Sequence, residues 1–297
     1  MARRSTRSAP DQMDLFVALA VDVPLRDVRD TMERPFFSLS KSPRGKPIEY
    51  EVGDAKVIVR APEDVGIATI WDADILIWAA SQITEAINRG LAVSPVLRAP
   101  AYQILRAIHR PTGGEDYGRL RDALRRLNAT YVETTIRSKG KPTGFTWLSR
   151  WTEDPQPDGR SFFTVELPGW FFDGVVAQGG VLRIDPRYFD LTGGIERWMY
   201  RVARKHAGNQ SAGWPLSMKA LYQKSGSTQR PSDFARQVRA VVEANQLPEY
   251  WLTLDKQGKD EIVHMVRRSF LALDHPGYER GGDSADHPQA LSTGVSG

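Results

Sequence analysis

Cysteine is absent from the 297-residue chain. That excludes disulfides, thiolate metal sites and a cysteine nucleophile, and it fits a reducing cytoplasm. Long apolar runs are missing too: nothing approaches the roughly 18–20 residues that span a bilayer, so no membrane partner is expected. The opening MARRSTRSAPDQ is basic but lacks the apolar segment of a signal peptide. No GxxxxGK followed by Ser or Thr occurs. Gly45-Lys46, Gly140-Lys141 and Gly258-Lys259 lack both that hydroxyl residue and the upstream glycine, which excludes a phosphate-loop ATPase. The five histidines, His109, His206, His264, His275 and His287, form no HxH or HxxxH pair, so no metal site is expected. Asp72-Ala-Asp74 stands at a helix start, where carboxylates more often serve as cap and dipole partner than as metal ligands. The chain is read as having no catalytic residue, no metal and no cofactor.

What is present is a globular composition, 41% hydrophobic and 26% charged. The net charge is only +4, but its distribution is uneven. Eleven Lys/Arg against four Asp/Glu fall between Arg98 and Arg150, and nine against one between Arg197 and Arg239. The intervening Trp151–Glu196 reverses the balance, with three against eight. Two basic blocks around an acidic spacer predict two surfaces for a polyanion.

Both blocks coincide with a run of helices. In the first, Asp72–Asn88 reads as a helix capped by Asp72 and stopped by Gly90. It packs through Ile75, Trp78, Ala79, Ile83 and Ile87. Ala101–His109 is a second helix. Asp116–Ile136 then reads as an arginine-studded third helix that turns straight into a strand. Tyr117, Leu120, Leu124 and Leu127 share its packed face, while Arg119, Arg121, Arg125 and Arg126 project away. Arg137-Ser-Lys-Gly-Lys is the tip of a hairpin that returns through Phe145–Leu148.

In the second block Gly194–Gly208, Leu216–Lys224 and Asp233–Asn245 are the three helices. The first is expected to turn Trp198, Val202 and Ala203 inward, with Arg197, Arg201, Arg204 and Lys205 around the rest. The third, capped by Ser232, buries Phe234, Val238, Val241 and Val242. Tyr250–Leu254 and Glu261–Met265 follow as a hairpin. Asp116-Tyr-Gly-Arg119 and Asp233-Phe-Ala-Arg236 open the two third helices alike.

The predicted fold is therefore α+β, with two tandem winged helix-turn-helix domains. Residues 1–31 form an arm, with a helix in Asp14–Glu33 broken at Pro24. Strands at Phe36–Ser40 and Ile48–Ala61 open the first domain, residues 32–154. The turn-rich DPQPDG marks the boundary, the second domain covers 155–269, and the Gly/Ser/Asp-rich stretch within 270–297 is a disordered tail.

This shape predicts double-stranded DNA as the partner. A recognition helix enters the major groove, where arginine matches guanine O6 and N7. Arg119, Arg121, Arg125 and Arg126 would do so in the first domain, and Ser232, Arg236, Gln237 and Arg239 in the second. Thr112, Ser227 and Thr228, in the turns before the third helices, suit phosphate, and Arg230 belongs to the same surface. Arg137, Lys139 and Lys141 at the first wing tip, and Lys256 and Lys259 at the second, would reach phosphate or the minor groove. Two heads on one face would cover roughly 15–20 base pairs. A transcriptional regulator would use the same heads.

MERPFFSLSK (Met32–Lys41), GIATIWDADILIWAASQI (Gly66–Ile83), YGRLRDALRRLNATYVETTIR (Tyr117–Arg137) and ERWMYRVARKHAG (Glu196–Gly208) resemble the plasmid replication initiator protein A family of bacteria. The resemblance extends over about Met13–Ser269. It implies a tandem winged-helix initiator that binds direct repeats at a plasmid origin, helps to melt it, and recruits the host initiator and replicative helicase. Related initiators repress their own promoters as dimers, so the resemblance also implies a homodimer and leaves autorepression as the second reading. An origin-nicking enzyme is the weakest, because no tyrosine has the histidine company a nicking nucleophile needs.

Overall fold

The computed structural model describes residues 15–19, 22–42, 44–258 and 260–281. Its N-terminal part is extended. β1 (Phe16–Val17), β2 (Arg26–Val28) and a 3-10 turn at Arg29–Thr31 occupy the segment expected as a broken helix. The hairpin β3 (Ile48–Val52)–β4 (Ala55–Arg60) precedes α1 (Ala73–Asn88). β5 (Val96–Pro100), α2 (Ala101–Ala107) and α3 (Gly114–Ala129) follow. Two hairpins come next, β6 (Tyr131–Thr134)–β7 (Thr143–Thr146) and β8 (Arg150–Pro155)–β9 (Ser161–Glu166). α4 (Gly169–Val176) and β10 (Val181–Arg183) lead to α5 (Gly194–Ala207), β11 (Trp214–Ser217), α6 (Met218–Ser225) and α7 (Pro231–Ala244). The hairpin β12 (Tyr250–Gln257)–β13 (Asp260–Arg267) closes the series. Phe36–Ser40, expected as a strand, makes only the single bridge Ser38↔Thr69.

The extended N-terminal chain has a physical cause. α1 is apolar on more than one face: Leu76, Ile77 and Ala80 are buried as fully as Ile75, Trp78, Ala79 and Ile83, and only Ile87 of the expected face is exposed. A helix of this kind must be covered on several sides. The N-terminal chain supplies part of the cover and satisfies two polar side chains buried with it. The Leu19 N–H donates to Gln82 Oε1 at 2.7 Å, and the Arg26 N–H to Ser81 Oγ at 2.8 Å.

The same order of elements occurs twice. α1, β5, α2, α3, β8 and β9 correspond to α5, β11, α6, α7, β12 and β13. Their sheets match as well, since β5-β9-β8 and β11-β13-β12 have one topology, with β1 added to the first. Each set is a winged helix.

This correspondence relocates the first wing. It is β8–β9, whose strands pair from Arg150↔Glu166 to Pro155↔Ser161. DPQPDG, expected as a boundary between domains, holds the turn of that hairpin, with Gly159 at φ +80°. The expected wing, β6–β7, is an insertion. It joins β3 and β4 in a separate sheet of order β3-β4-β6-β7.

Buried apolar side chains form one continuous core through both winged helices. Phe36 and Phe37 of the MERPFF segment pack around Trp147, at ring-centroid distances of 5.6 and 4.6 Å. In the second unit the turn between α6 and α7 abuts the first. Gly226 has φ +62°, and a β-carbon there would lie 2.5 Å from Pro35 Cβ. Part of the expected tail is also folded: the Arg268 guanidinium donates to the Gly277 carbonyl at 3.2 Å, and Gly277 lies against the Trp251 ring. Residues 282–297 of that tail, and residues 1–14 of the arm, lie outside the described residues. No helix among the described residues is long and apolar enough to cross a membrane.

Candidate nucleic-acid interface

α3 and α7 are the third helices of the two units, and each is held by a strip of apolar side chains. Leu120, Ala123, Leu124 and Leu127 are buried in α3; Phe234, Ala235, Val238 and Val241 in α7. Opposite these strips, Arg119 and Arg125 are exposed on α3, and Arg236, Gln237 and Arg239 on α7. Arg119 Nη1 lies 3.1 Å from Asp116, and Arg236 Nη2 lies 3.3 Å from Asp233, the same i,i+3 pairing in both units. Arg125 pairs with Asp122 at 3.0 Å, and Gln237 donates to Gln229 at 3.0 Å. Exposed pairs of this kind are worth ~1 kcal/mol or less, so a phosphate or base can displace them.

Arg121 and Arg239 are held more firmly. Arg121 donates through Nε and Nη2 to the two Glu153 oxygens, both at 2.7 Å. Arg239 does the same to Glu261, at 2.9 and 2.7 Å. Glu153 is on β8 and Glu261 on β13, so each third helix is tied to its own wing. The hydrogen bonds from Arg121 hold the Glu153 carboxyl below its usual range, and those from Arg239 do the same for Glu261.

Two expected contact residues are folded back onto the protein. Arg126 lies on the flank of the packed strip, three residues after Ala123, and reaches back to α1. Its guanidinium grips both Asp72 oxygens at 2.8 Å. Asp72 also accepts the Thr69 N–H at 2.7 Å and makes no side-chain cap hydrogen bond to α1. Arg137 is anchored away from the tip of its hairpin. Its guanidinium is 3.8 Å from the Trp170 ring centroid, donates to the Trp170 carbonyl at 2.6 Å and pairs with Asp30 at 3.0 Å. Lys139 and Lys141 are exposed, but on the inserted β6–β7 hairpin and not on the wing.

The remaining positions fall around the turns and the second wing. Thr112, Thr228 and Arg230 are exposed, while Ser227 is half-buried and its Oγ accepts the Gln229 N–H at 3.2 Å. Ser232 is exposed in the first turn of α7 without capping it: Arg230 is the N-cap residue and Pro231 opens the helix. Lys256 is exposed near the end of β12, and Lys259 lies outside the described residues.

The largest correction concerns charge. Arg197, Arg201 and Arg204, expected outside α5, are buried between the units. Arg197 Nη1 reaches Asp74 Oδ1 and Oδ2 at 2.8 and 2.9 Å, and Arg110 meets the same carboxylate at 2.8 Å. Arg201 binds Asp27 at 2.6 and 3.1 Å. Glu33 gathers Lys205, His206 and Lys224 within 2.6–2.8 Å. Burial alone would raise the Glu33 carboxyl; the hydrogen bonds from His206, Lys205 and Lys224 and the charge of Lys205 outweigh it and hold the carboxyl far below its usual range. Much of the second basic block is thus an internal clasp. Its outward charge at α7 reduces to Arg230 at the N-cap and Arg236 and Arg239 on the helix.

Sequence reasoning missed three residues beside the outward arginines and the first wing turn: Glu153, Glu261, and Arg160, which ends that turn and pairs with Asp158 at 2.6 Å. An available signal was the Asp158-Gly159 pair between strand-like runs, a hairpin signature.

Two winged helices in tandem, with third helices that carry outward arginines, define a class of double-headed helix-turn-helix proteins. Crystal structures of RctB domains 2 and 3 share the fold. One aligns with a TM-score of 0.54 at 14% identity, covering 78% of this chain and 94% of that one. A second gives 0.52 at 12%, covering 80% and 95%. A protein of Wigglesworthia glossinidia brevipalpis named "Putative replication protein" is 32% identical over 242 residues, 78% of this chain and 86% of that protein. The family model for replication initiator protein A matches residues 26–252. The chain belongs to the replication initiator protein A family, as the sequence motifs implied.

Proposed function

We propose that this chain initiates replication by reading duplex DNA with both winged helices, and that it has no catalytic chemistry of its own. The observation that carries this reading is the recurrence of one arrangement. In both units an apolar strip buries one side of the third helix and leaves arginines outward, next to a two-stranded wing. Arg119, Arg121 and Arg125 would meet one major groove, and Arg236, Gln237 and Arg239 another. Thr112, Ser227, Thr228, Arg230, Arg160 and Lys256 would lie along the phosphates. Lys139 and Lys141 would add a contact from the inserted hairpin. The two units divide after β9, with α4 and β10 as the connection.

Family membership supports the wider role: binding repeats at an origin, assisting its opening, and recruiting the host initiator and helicase in the cytoplasm. Homodimers that repress the chain's own promoter belong to the same reading. A plasmid carrying only this gene and its flanking DNA tests initiation directly and should replicate in a suitable host. Footprinting on that flanking DNA should show protected repeats. Failure of both would reject the proposal.

A further inference from the structure

Apart from Arg126, which grips Asp72 beside α1, each third helix carries one arginine that differs from its neighbours. Arg119, Arg125 and Arg236 pair loosely with carboxylates on their own helix, three or four residues away. Arg121 and Arg239 instead make two-point contacts with a glutamate on the wing sheet, Glu153 and Glu261. The two pairs sit in separate units and are not at matching helix positions, since Arg121 stands five residues after Asp116 and Arg239 six after Asp233. The arrangement therefore exists twice without being a copied residue pair.

Stability does not explain it well. The side chains of Arg121 and Arg239 remain 36% and 48% exposed, and pairs in contact with water add little to folding. What a two-point contact does do is fix the guanidinium plane. An arginine in a fixed plane loses less freedom when it meets the O6 and N7 edge of guanine. A carboxylate behind it also cancels part of its attraction to any phosphate, which is the contact that carries no sequence information.

We infer that Glu153 and Glu261 are positioning residues for specificity: each aims one arginine, Arg121 or Arg239, at a base edge and discourages its use on the backbone. This deepens the proposed DNA-reading function and rests on it. Arg121 and Arg239 are then base readers, whereas Arg119, Arg125 and Arg236 are free to serve phosphate.

The test uses the full chain and a random 30-base-pair duplex pool, enriched by binding to the wild type and sequenced. Glu153→Gln should bind the pool at least as tightly as wild type. Its preference at one or two base positions, confined to one half of the site, should fall roughly tenfold. Its salt dependence should steepen by about 0.9 in log–log slope as the released arginine turns to phosphate. Glu153→Asp keeps the charge but shortens the reach, so it should lose the same base preference with little change in salt slope. Arg121→Ala should lose preference at those same positions, and Glu261→Gln at positions in the other half. An unchanged base profile in Glu153→Gln and Glu261→Gln would overturn the inference while leaving DNA binding intact. Loss spread evenly over both halves would also overturn it, since that is the mark of a general structural defect. If the wild type enriches no sequence, the DNA-reading function falls and this inference with it.

Discussion

Asp74 and Arg197 stand 123 residues apart in the chain, yet Arg197 Nη1 contacts both Asp74 oxygens, at 2.8 and 2.9 Å. Their side chains are 0% and 1% exposed. Asp74 belongs to the first helix of the first winged helix and Arg197 to the first helix of the second. The remaining Arg197 donors reach the Leu191 and Phe189 carbonyls at 2.7 Å, so the buried guanidinium is held on several sides. With Asp27–Arg201 and the Glu33 cluster, this contact fixes the two heads to each other.

Removing one partner of such a pair leaves a buried charge without compensation. Asp74→Asn should therefore lower stability by about 3–5 kcal/mol, measured by urea denaturation. Replacing both residues, as in Asp74→Leu with Arg197→Met, should be far less harmful than the single change. Equal losses in the two variants would show that the pair is not the source.

Glu33 gives a pH signature. Its carboxyl is held below the unfolded value of about 4.3, so its stabilising effect is complete above that pH and declines as pH falls toward the folded value. Wild-type stability should fall as pH drops below about 4, with a contribution from this group of at most about 1.4 kcal/mol per pH unit. Glu33→Gln should lack that contribution and be about 3 kcal/mol less stable at pH 7. Urea melts at several pH values measure both; parallel slopes for the two proteins would contradict the assignment.

Two arginines one residue apart should behave oppositely. Arg126→Ala breaks the Asp72 contact and should lower the melting temperature, with little loss of DNA affinity per folded molecule. Arg125→Ala should leave melting nearly unchanged and weaken DNA binding, with a salt slope smaller by about 0.9. Calorimetry and salt titrations on one duplex separate these outcomes, and a shared phenotype would refute the division.

The fixed junction also bears on the DNA. Inserting about 5 base pairs, half a helical turn, between the two halves of the footprint rotates one major groove away from its head. Affinity should fall to that of a single head, and an insertion of about 10 should not restore it, because the heads cannot separate. Recovery at 10 would point to a flexible junction.

The helices were legible in the sequence because each buries one strip at 3.6-residue spacing, as with Leu120, Leu124 and Leu127. The wing was not. β8, Arg150–Pro155, is charged, ends in proline and stays mostly open to water, so its alternation is weak; β6–β7 alternates better and drew the assignment. The charge tally erred for a different reason. Counting Arg197, Arg201 and Lys205 as surface assumes that their partners are solvent, whereas Asp74, Asp27 and Glu33 lie more than 120 residues upstream. Sequence spacing carries no record of such distant neutralisation. The segments that carry the family resemblance are the ones that meet here: Glu33 of MERPFF with Lys205 and His206 of ARKHAG, and Asp74 of WDAD with Arg197 of ERW.

The clasp has a temporal side. Asp27, Glu33 and Asp74 leave the ribosome well before α5 exists. At ordinary rates of synthesis, a gap of 123 residues corresponds to roughly 6–25 s. Throughout that interval Asp74 has Arg110 but not Arg197, and Asp27 and Glu33 lack the cations of the second unit. The clasp is therefore completed only once α5 and then α6, which brings Lys224 to Glu33, have emerged.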